Sequence, residues 1–222
     1  VRGQIDHFDA RWEYYFSPDE VASVAVFGKL FYDPVERTEL GGVDRSVSYT
    51  NADSANNIGL EIEARRRLGS LAEDLGLRSL IKPLEDVFTA VNIAFIRSRV
   101  DLGEDGGTNT STRRPLQGQS PFVINVQAGY DDAAGSGITA VVLYNVFGSR
   151  IRDVGRFGTP DVYEEPYHQL DFVYSQKFGD AWSLKFKASN LLDQQVKFTQ
   201  GPRVQASYRN GRSFGLSLSW SY

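Results

Sequence analysis

The end of the chain alternates between two kinds of side chain over residues 213–222. Successive side chains of a β-strand point to opposite faces, so this pattern predicts one strand with a bulky apolar face and a small polar face. A soluble β-sandwich shows the same alternation, but the bulk of the apolar face and the final aromatic residue favour a strand that meets lipid. The apolar set is Phe214, Leu216, Leu218, Trp220 and Tyr222, and the polar set is Ser213, Gly215, Ser217, Ser219 and Ser221.

Eight earlier stretches also read as strands, and the connections between the strands alternate between short and long. Residues 34–57 and 102–118 read as long polar loops, and residues 70–85 as a connection with one helical turn at most. Short turns at one end and long loops at the other are typical of outer-membrane barrels, so we predict an all-β, antiparallel up-and-down transmembrane β-barrel. The predicted strands are 3–16, 21–33, 58–65, 86–101, 119–130, 138–151, 167–178, 182–199 and 213–222.

The bulky face of the six most clearly alternating strands is expected to lack charge. An arginine or lysine that faces lipid costs about 2–4 kcal/mol at the middle of a bilayer, so lipid contact requires this exclusion. A sugar-binding platform is the alternative for the aromatic residues, but aromatic girdles at the two membrane interfaces need fewer assumptions. We expect these residues to face lipid: Phe8, Trp12, Tyr14, Phe122, Ile124, Phe172, Trp182, Phe186 and Leu216.

Composition excludes several other classes of protein. The 222 residues have a mean hydropathy of −0.34 and contain no run of apolar residues long enough for a transmembrane helix. There is no cysteine and there are only two histidines, which leaves neither thiol chemistry nor a histidine metal site. The net charge of −4 without a basic block argues against nucleic acid. The first residues do not form a signal peptide, so the start of an exported protein is expected to be missing or removed.

Some charged residues have two interpretations. Arg113 and Arg114 either meet an anionic substrate or a lipopolysaccharide phosphate, or anchor a loop by pairing with nearby acids. His168 reads as a hydrogen-bonding residue at a strand start. Asp101, Glu104 and Asp105 lack the spacing of a calcium loop and read as a solvated acidic loop. Four residues are expected to face the barrel lumen and to pair with one another or with a plug: Glu61, Glu63, Lys185 and Lys187.

Four short stretches resemble one family, the TonB-dependent outer-membrane receptors. They are Asn-Ile-Gly-Leu-Glu-Ile-Glu at 57–63, Arg-Pro-Leu-Gln-Gly-Gln-Ser-Pro at 114–121, Leu-Tyr-Asn-Val-Phe-Gly at 143–148 and Asn-Leu-Leu-Asp at 190–193. The resemblance covers nearly the whole chain and implies part of a 22-stranded barrel plugged by an N-terminal domain. The last strand resembles the signal read by the barrel assembly machinery, at Ser213, Gly215, Leu218, Trp220 and Tyr222.

Nine strands cannot close such a barrel, so residues 1–222 are expected to be the C-terminal part of the barrel domain, with the plug absent. The resemblance implies a bacterial outer-membrane receptor, not an enzyme and without a cofactor, that imports a scarce nutrient of the siderophore, cobalamin or glycan class. Its implied partners are outer-membrane lipid, the assembly machinery and, through the missing N-terminal part, the TonB energy-coupling complex. A passive porin or other barrel and a soluble β-sandwich binding module are the alternatives. The ligand-binding residues are not identified.

Overall fold

The computed structural model describes residues 2–40, 46–102, 109–132 and 134–221. It contains fifteen strands and two short helices. In chain order these are β1 (Gln4–Ser17), β2 (Glu20–Tyr32), β3 (Val35–Leu40), β4 (Ser46–Asn51), β5 (Ser54–Arg67), α1 (Leu68–Asp74), α2 (Arg78–Leu84), β6 (Val87–Asp101), β7 (Phe122–Asp132), β8 (Ile138–Phe147), β9 (Arg150–Gly155), β10 (Val162–Glu164), β11 (Tyr167–Phe178), β12 (Trp182–Ser189), β13 (Gln195–Gln200), β14 (Arg203–Arg209) and β15 (Ser213–Trp220).

Nine strands form one antiparallel up-and-down sheet in the order β1-β2-β5-β6-β7-β8-β11-β12-β15. We call it the wall sheet. The nine strands predicted from the sequence are confirmed, and they neighbour one another in chain order. The sheet is not closed: within the residues described, β1 and β15 each pair on one side only.

The other six strands form a second sheet at the long-loop end of the wall sheet, in the order β14-β13-β10-β9-β3-β4. We call it the loop sheet. Its strands come from three different long connections, and β3 joins β9 in parallel at Thr38 opposite Val154. The expectation that residues 34–57 are a loop is therefore wrong, because β3 and β4 form a hairpin there.

Two predicted strands are broken in the structure. Residues 138–151 divide at Gly148 into β8 and β9, which belong to different sheets. Residues 182–199 divide into β12 and β13, because Asn190 and Asp193 take the left-handed backbone conformation with φ of 56° and 46°. Such φ values do not occur in a continuous strand, and asparagine and aspartate tolerate them best among side-chain-bearing residues.

The connection over residues 70–85 holds more helix than predicted, since α1 and α2 form a short helical hairpin at the short-turn end. Gly69 permits their close contact: a Cβ there would lie 2.8 Å from Cα of Glu85. Gly76, with φ of 71°, follows the end of α1. Across the described residues, no helix has both the length and the apolarity to cross a membrane.

The pairing register gives the wall sheet two distinct faces. Trp12 lies opposite Val24, which lies opposite Ile62, and this row continues through Ile93 and Ile124. Residues directly opposite one another point to the same side, so the bulky residues of all nine strands share one face, called here the apolar face. Many of them are exposed, up to 71% for Leu216.

The expectation that this face lacks charge is wrong at the strand ends. The register assigns Asp6, Arg66 and Asp132 to the apolar face near the ends of β1, β5 and β7. It also assigns Arg97, Arg99 and Asp101 to that face, over the last five residues of β6. β1 and β5 each have 14 residues, whereas about 9–11 suffice to cross a bilayer, so the ends extend beyond the apolar stretch.

The most deeply buried side chains belong to the loop sheet rather than to the wall sheet. Among the residues whose burial is described, the five largest side chains that are less than 2% exposed all lie on β3, β9 or β10: Glu36, Thr38, Ile151, Val154 and Val162. A smaller apolar cluster of Ala52, Ala55 and Val100 lies beside them at the end of the wall sheet. The loop end is therefore the part of the molecule with a packed interior.

Candidate functional site: the loop end and the inner face

A buried ion pair holds the loop sheet to the wall sheet. Arg114 donates from Nη1 to Oε1 of Glu36 at 2.7 Å and from Nη2 to Oε2 at 2.6 Å. The two side chains are only 2% and 1% exposed. This bidentate geometry is the strongest form of an arginine–carboxylate contact. Of the two interpretations of Arg114, the structure favours the loop anchor, since its guanidinium is committed to Glu36.

Gln117 connects β3 to β9 with a single side chain. Its Oε1 accepts a hydrogen bond from the backbone N–H of Arg37 at 2.6 Å, and its Nε2 donates to the carbonyl of Arg37 at 2.9 Å and to that of Arg152. Its own N–H donates to Glu36 at 3.2 Å. The amide thus supplies backbone-like hydrogen bonds to both strands next to their parallel pairing. We call Glu36, Arg37, Arg114, Gln117 and Asp153 the polar junction; Arg37 and Asp153 approach to 3.1 Å within it.

The rest of the 114–121 stretch fixes the same junction to β6 and β8. The carbonyls of Arg114 and Pro121 accept hydrogen bonds from the N–H groups of Val100 and Ile96, at 3.0 and 2.8 Å. Ser120 donates to the carbonyl of Gly148 at 3.0 Å, at the end of β8. Gln119 accepts from the side chain of Asn57 at 2.7 Å. The distinctive stretch that carries the family resemblance is therefore a structural brace.

β10 presents a tyrosine beside this junction. Burial raises the pKa of Tyr163, and the nearby carboxylate of Asp161 raises it further. The phenol therefore stays neutral and keeps its proton at neutral pH. Asp161 accepts a hydrogen bond from the N–H of Gly155 at 2.8 Å, which joins β9 to the strand that follows it.

The face of the wall sheet opposite the apolar face carries a row of polar side chains in register. Asn92 lies opposite Asn125, and Asn125 lies opposite Asn145. Asn145 donates to Asn125 at 2.6 Å, and Asn125 donates to Asn92 at 3.4 Å. With their neighbours in the same register they form the inner polar row, which lines a cleft of 350 Å³. The row contains Glu13, Ser23, Glu63, Asn92, Asn125, Asn145 and Gln169.

The charged residues expected on this inner face are indeed on it, but Glu63 has a partner that was not foreseen. Arg11 donates to Glu63 at 2.7 Å and also contacts Glu13. Glu61, Lys185 and Lys187 share this face by register. The sequence does not indicate this pair, because Glu63 lies on β5, two strands away from Arg11 in the sheet and 52 residues along the chain.

All nine residues expected to face lipid lie on the apolar face: Phe8, Trp12, Tyr14, Phe122, Ile124, Phe172, Trp182, Phe186 and Leu216. In the last strand Leu218 and Trp220 share that face, whereas Ser213 and Gly215 point to the opposite one. The rings of Trp182 and Trp220 lie 6.2 Å apart. Tyr222 is outside the described residues.

The remaining candidates are not brought together into a metal site. Glu104 and Asp105 are outside the described residues, and in the part of the chain described no group of three or more acidic or histidine residues is placed to hold a metal ion. His168 hydrogen-bonds through Nδ1 to the hydroxyl of Tyr144 at 2.5 Å. Arg113 is exposed, unlike its neighbour Arg114.

Comparison with known proteins identifies the sheet. A family model described as "TonB dependent receptor-like, beta-barrel" matches residues 4–191, which is most of the chain. The chain belongs to this TonB-dependent receptor barrel family. The match includes every wall-sheet strand except β15, and it includes β3, β4, β9 and β10 of the loop sheet. No curated protein sequence matches.

Several solved structures share the fold of this chain. The copper transporter OprC superimposes with a TM-score of 0.66 at 15% identity, covering 99% of this chain and 31% of its own. A ferric enterobactin receptor, PfeA from Pseudomonas aeruginosa, gives 0.63 at 14% identity, with 99% and 31% covered. The ferric yersiniabactin uptake receptor FyuA from Yersinia pestis gives 0.61 at 15% identity, with 97% and 30% covered. The chain thus spans about a third of the length of these receptors.

Proposed function

We propose that this chain is the C-terminal part of the barrel of a bacterial outer-membrane receptor that imports a scarce nutrient by TonB-coupled active transport. The observation that carries the proposal is a nine-stranded wall with one continuous apolar face and an organised sheet at its long-loop end. We further propose that residues 1–222 hold no plug, and that a plug and the TonB-contacting segment belong to the rest of the receptor.

The apolar face supports the membrane part of this proposal. Its exposed bulky residues, among them Phe8 at 65% and Leu216 at 71%, would lose their contact with water in a bilayer. Unpaired strand edges are not tolerated in lipid, so β1 and β15 would pair with further strands of a closed barrel. We propose that the nine residues expected from the sequence do face lipid, and that Ser213, Gly215, Leu218, Trp220 and Tyr222 are read by the assembly machinery.

The other two surfaces support the receptor part. The inner polar row offers amide donors and acceptors to a plug or to a hydrated solute, as expected for a barrel interior. The loop sheet, held by the polar junction, would form a fixed wall at the mouth where a ligand is first captured. Energy transmitted through TonB would then rearrange the plug and release the ligand inward.

The named relatives support a metal or metal-chelate cargo. They are a copper transporter and receptors for ferric enterobactin, ferric yersiniabactin and pyoverdine. We therefore propose a metal chelate of the siderophore class as the cargo, with cobalamin and glycans as the competing outcomes of the uptake test. We propose no catalytic activity, in keeping with a transport role.

The test uses the complete receptor in its own bacterium. The receptor should sediment with outer membranes and resist extraction by high salt, and its deletion should abolish high-affinity uptake of one cargo class. Removal of TonB, with the receptor still present at the surface, should abolish uptake but leave binding intact. Uptake that persists without TonB would identify a passive porin instead, and recovery without detergent in the soluble periplasm would refute the membrane assignment.

A further inference from the structure

Two arginines lie on the apolar face where it approaches the loop sheet. Arg97 lies opposite Ile58 and Arg99 opposite Asn56 on the neighbouring strand β5. Because Ile58 belongs to the apolar face, both arginines project from that face, about 6.6 Å apart along β6. Both are exposed. They follow directly after Phe95, the last bulky residue of β6 on this face.

Neither arginine forms an ion pair with any residue in the described part of the chain. In this they differ from Arg66 and Arg114, which contact Asp74 and Glu36. Among the residues that the structure describes, two carboxylates share their face and end of the sheet: Asp101, two residues beyond Arg99, and Asp6. Asp6 is in the same row as Arg99 but three strands away, at about 14 Å. The local charge at Arg97 and Arg99 is therefore positive.

An apolar groove leads up to the pair. Gly28 lies between Phe8 and Ile58 in one cross-strand row, and because it has no side chain it leaves a gap there. A Cβ at Gly28 would meet no atom within 4 Å. Two shallow clefts, of 310 and 480 Å³, share Val26 and Ile58, and the second ends at Arg97.

We propose that Arg97 and Arg99 bind the phosphate of a lipid headgroup while the groove beside Gly28 receives one of its acyl chains. The proposal rests on the proposed function, since it requires that the apolar face meets a bilayer. The partner is a phosphorylated lipid in the leaflet next to the long loops.

Chemistry and position both fit this partner. The planar guanidinium donates several hydrogen bonds in a fixed geometry that matches phosphate oxygens. The phosphates of a bilayer lie just outside its hydrocarbon, and along β6 the charged pair stands just beyond Phe95, the last bulky apolar residue of that strand on this face. A basic residue near an anionic lipid surface raises the binding constant about fivefold, so two such residues should raise it about 30-fold.

The experiment measures lipid retention by the complete receptor. Wild type and variants are placed in phosphatidylcholine nanodiscs that contain either lipid A with its phosphates or the same glycolipid with its phosphates removed. Bound glycolipid per receptor is measured by native mass spectrometry. One variant combines Arg97→Gln with Arg99→Gln, and a matched control combines Lys197→Gln with Arg203→Gln, two exposed cations of the loop sheet. A third variant, Gly28→Leu, fills the groove and leaves the charges.

Wild type and control should retain the phosphorylated lipid about 30-fold better than the double arginine variant. Gly28→Leu should weaken retention of both glycolipids. Equal retention by wild type and the arginine variant, or competition by free inorganic phosphate as strong as by the lipid, would overturn the proposal. Outer-membrane recovery and heat-modifiable gel mobility are measured on the same samples. A failure there contradicts the proposed function, whereas normal recovery with unchanged lipid retention contradicts only this inference.

Discussion

Removal of one partner of the Glu36–Arg114 pair should open the loop sheet locally. Both side chains are almost wholly buried, so Arg114→Met leaves the carboxylate of Glu36 without its cation in a site that water does not reach. Truncation of one partner of a buried pair costs about 3–5 kcal/mol. That cost corresponds to an increase of about 10²–10⁴-fold in the population of the open form.

A partly exposed pair supplies the matched control. Arg150 and Glu164 join β9 to β10 at 2.7 Å, but their side chains are 35% and 20% exposed. Arg150→Met should therefore cost about 1 kcal/mol at most, because solvent screens such a pair. Both variants remove an arginine from a short carboxylate contact, but only Arg114→Met leaves a buried carboxylate that had accepted two hydrogen bonds from its arginine.

The assay is hydrogen exchange of the complete receptor in detergent, followed at β3 and at residues 114–121. Heat-modifiable mobility establishes that the barrel itself remains folded. The combined variant Glu36→Leu with Arg114→Met should exchange more slowly than Arg114→Met alone, because no unpaired charge remains buried. Protection of β3 in Arg114→Met equal to that in Arg150→Met would refute the reasoning, as would a combined variant that is worse than the single one.

Three further outcomes follow from the structure. Leu216→Arg should reduce the folded barrel far more than Ser217→Arg, by about 2–4 kcal/mol if residue 216 lies near mid-bilayer. Equal heat-modifiable mobility of the two variants would contradict this assignment of the faces. Deletion of residues 220–222 should lower the number of assembled receptors but leave ligand affinity on intact cells unchanged; a loss of affinity at constant receptor number would put the C-terminus at the ligand site. Gln117→Leu leaves backbone groups of β3 and β9 without hydrogen-bonding partners, at a cost of about 1–3 kcal/mol for each group. Hydrogen exchange should therefore become faster in both strands together. Faster exchange in β3 alone would contradict the bridging role of Gln117.

The wall sheet was readable from the sequence because each strand carries its own evidence. Trp12 and Leu216 identify a bulky face within a few residues of chain, and no distant residue is needed to interpret them. The loop sheet was not readable in this way. Glu36 lies in a polar stretch of sequence, which indicates an exposed side chain. Its burial depends on the ion pair with Arg114, which lies 78 residues later in the chain. A long-range ion pair leaves no local pattern.

The strand ends show a second limit of sequence interpretation. Residues 138–151 carry apolar side chains on both faces of the predicted strand, so a single strand was expected there. The chain instead changes sheets there: a Cβ at Gly148 would lie 2.8 Å from the ring of Phe122, and the residue's carbonyl is bound by Ser120. Apolar side chains on either side of this point indicate burial, and they do not distinguish which of the two sheets buries them.

The parallel contact between β3 and β9 determines how the loops of this receptor can be exchanged. Three long connections contribute strands to one sheet, and Gln117, from a fourth, joins two of them. A single loop grafted from a relative would lose the hydrogen-bonding partners that its neighbours provide. We expect chimaeras to keep a stable loop end only when all four connections are transferred together. Ligand specificity should then be transferable only with the whole set of connections and not with a single loop.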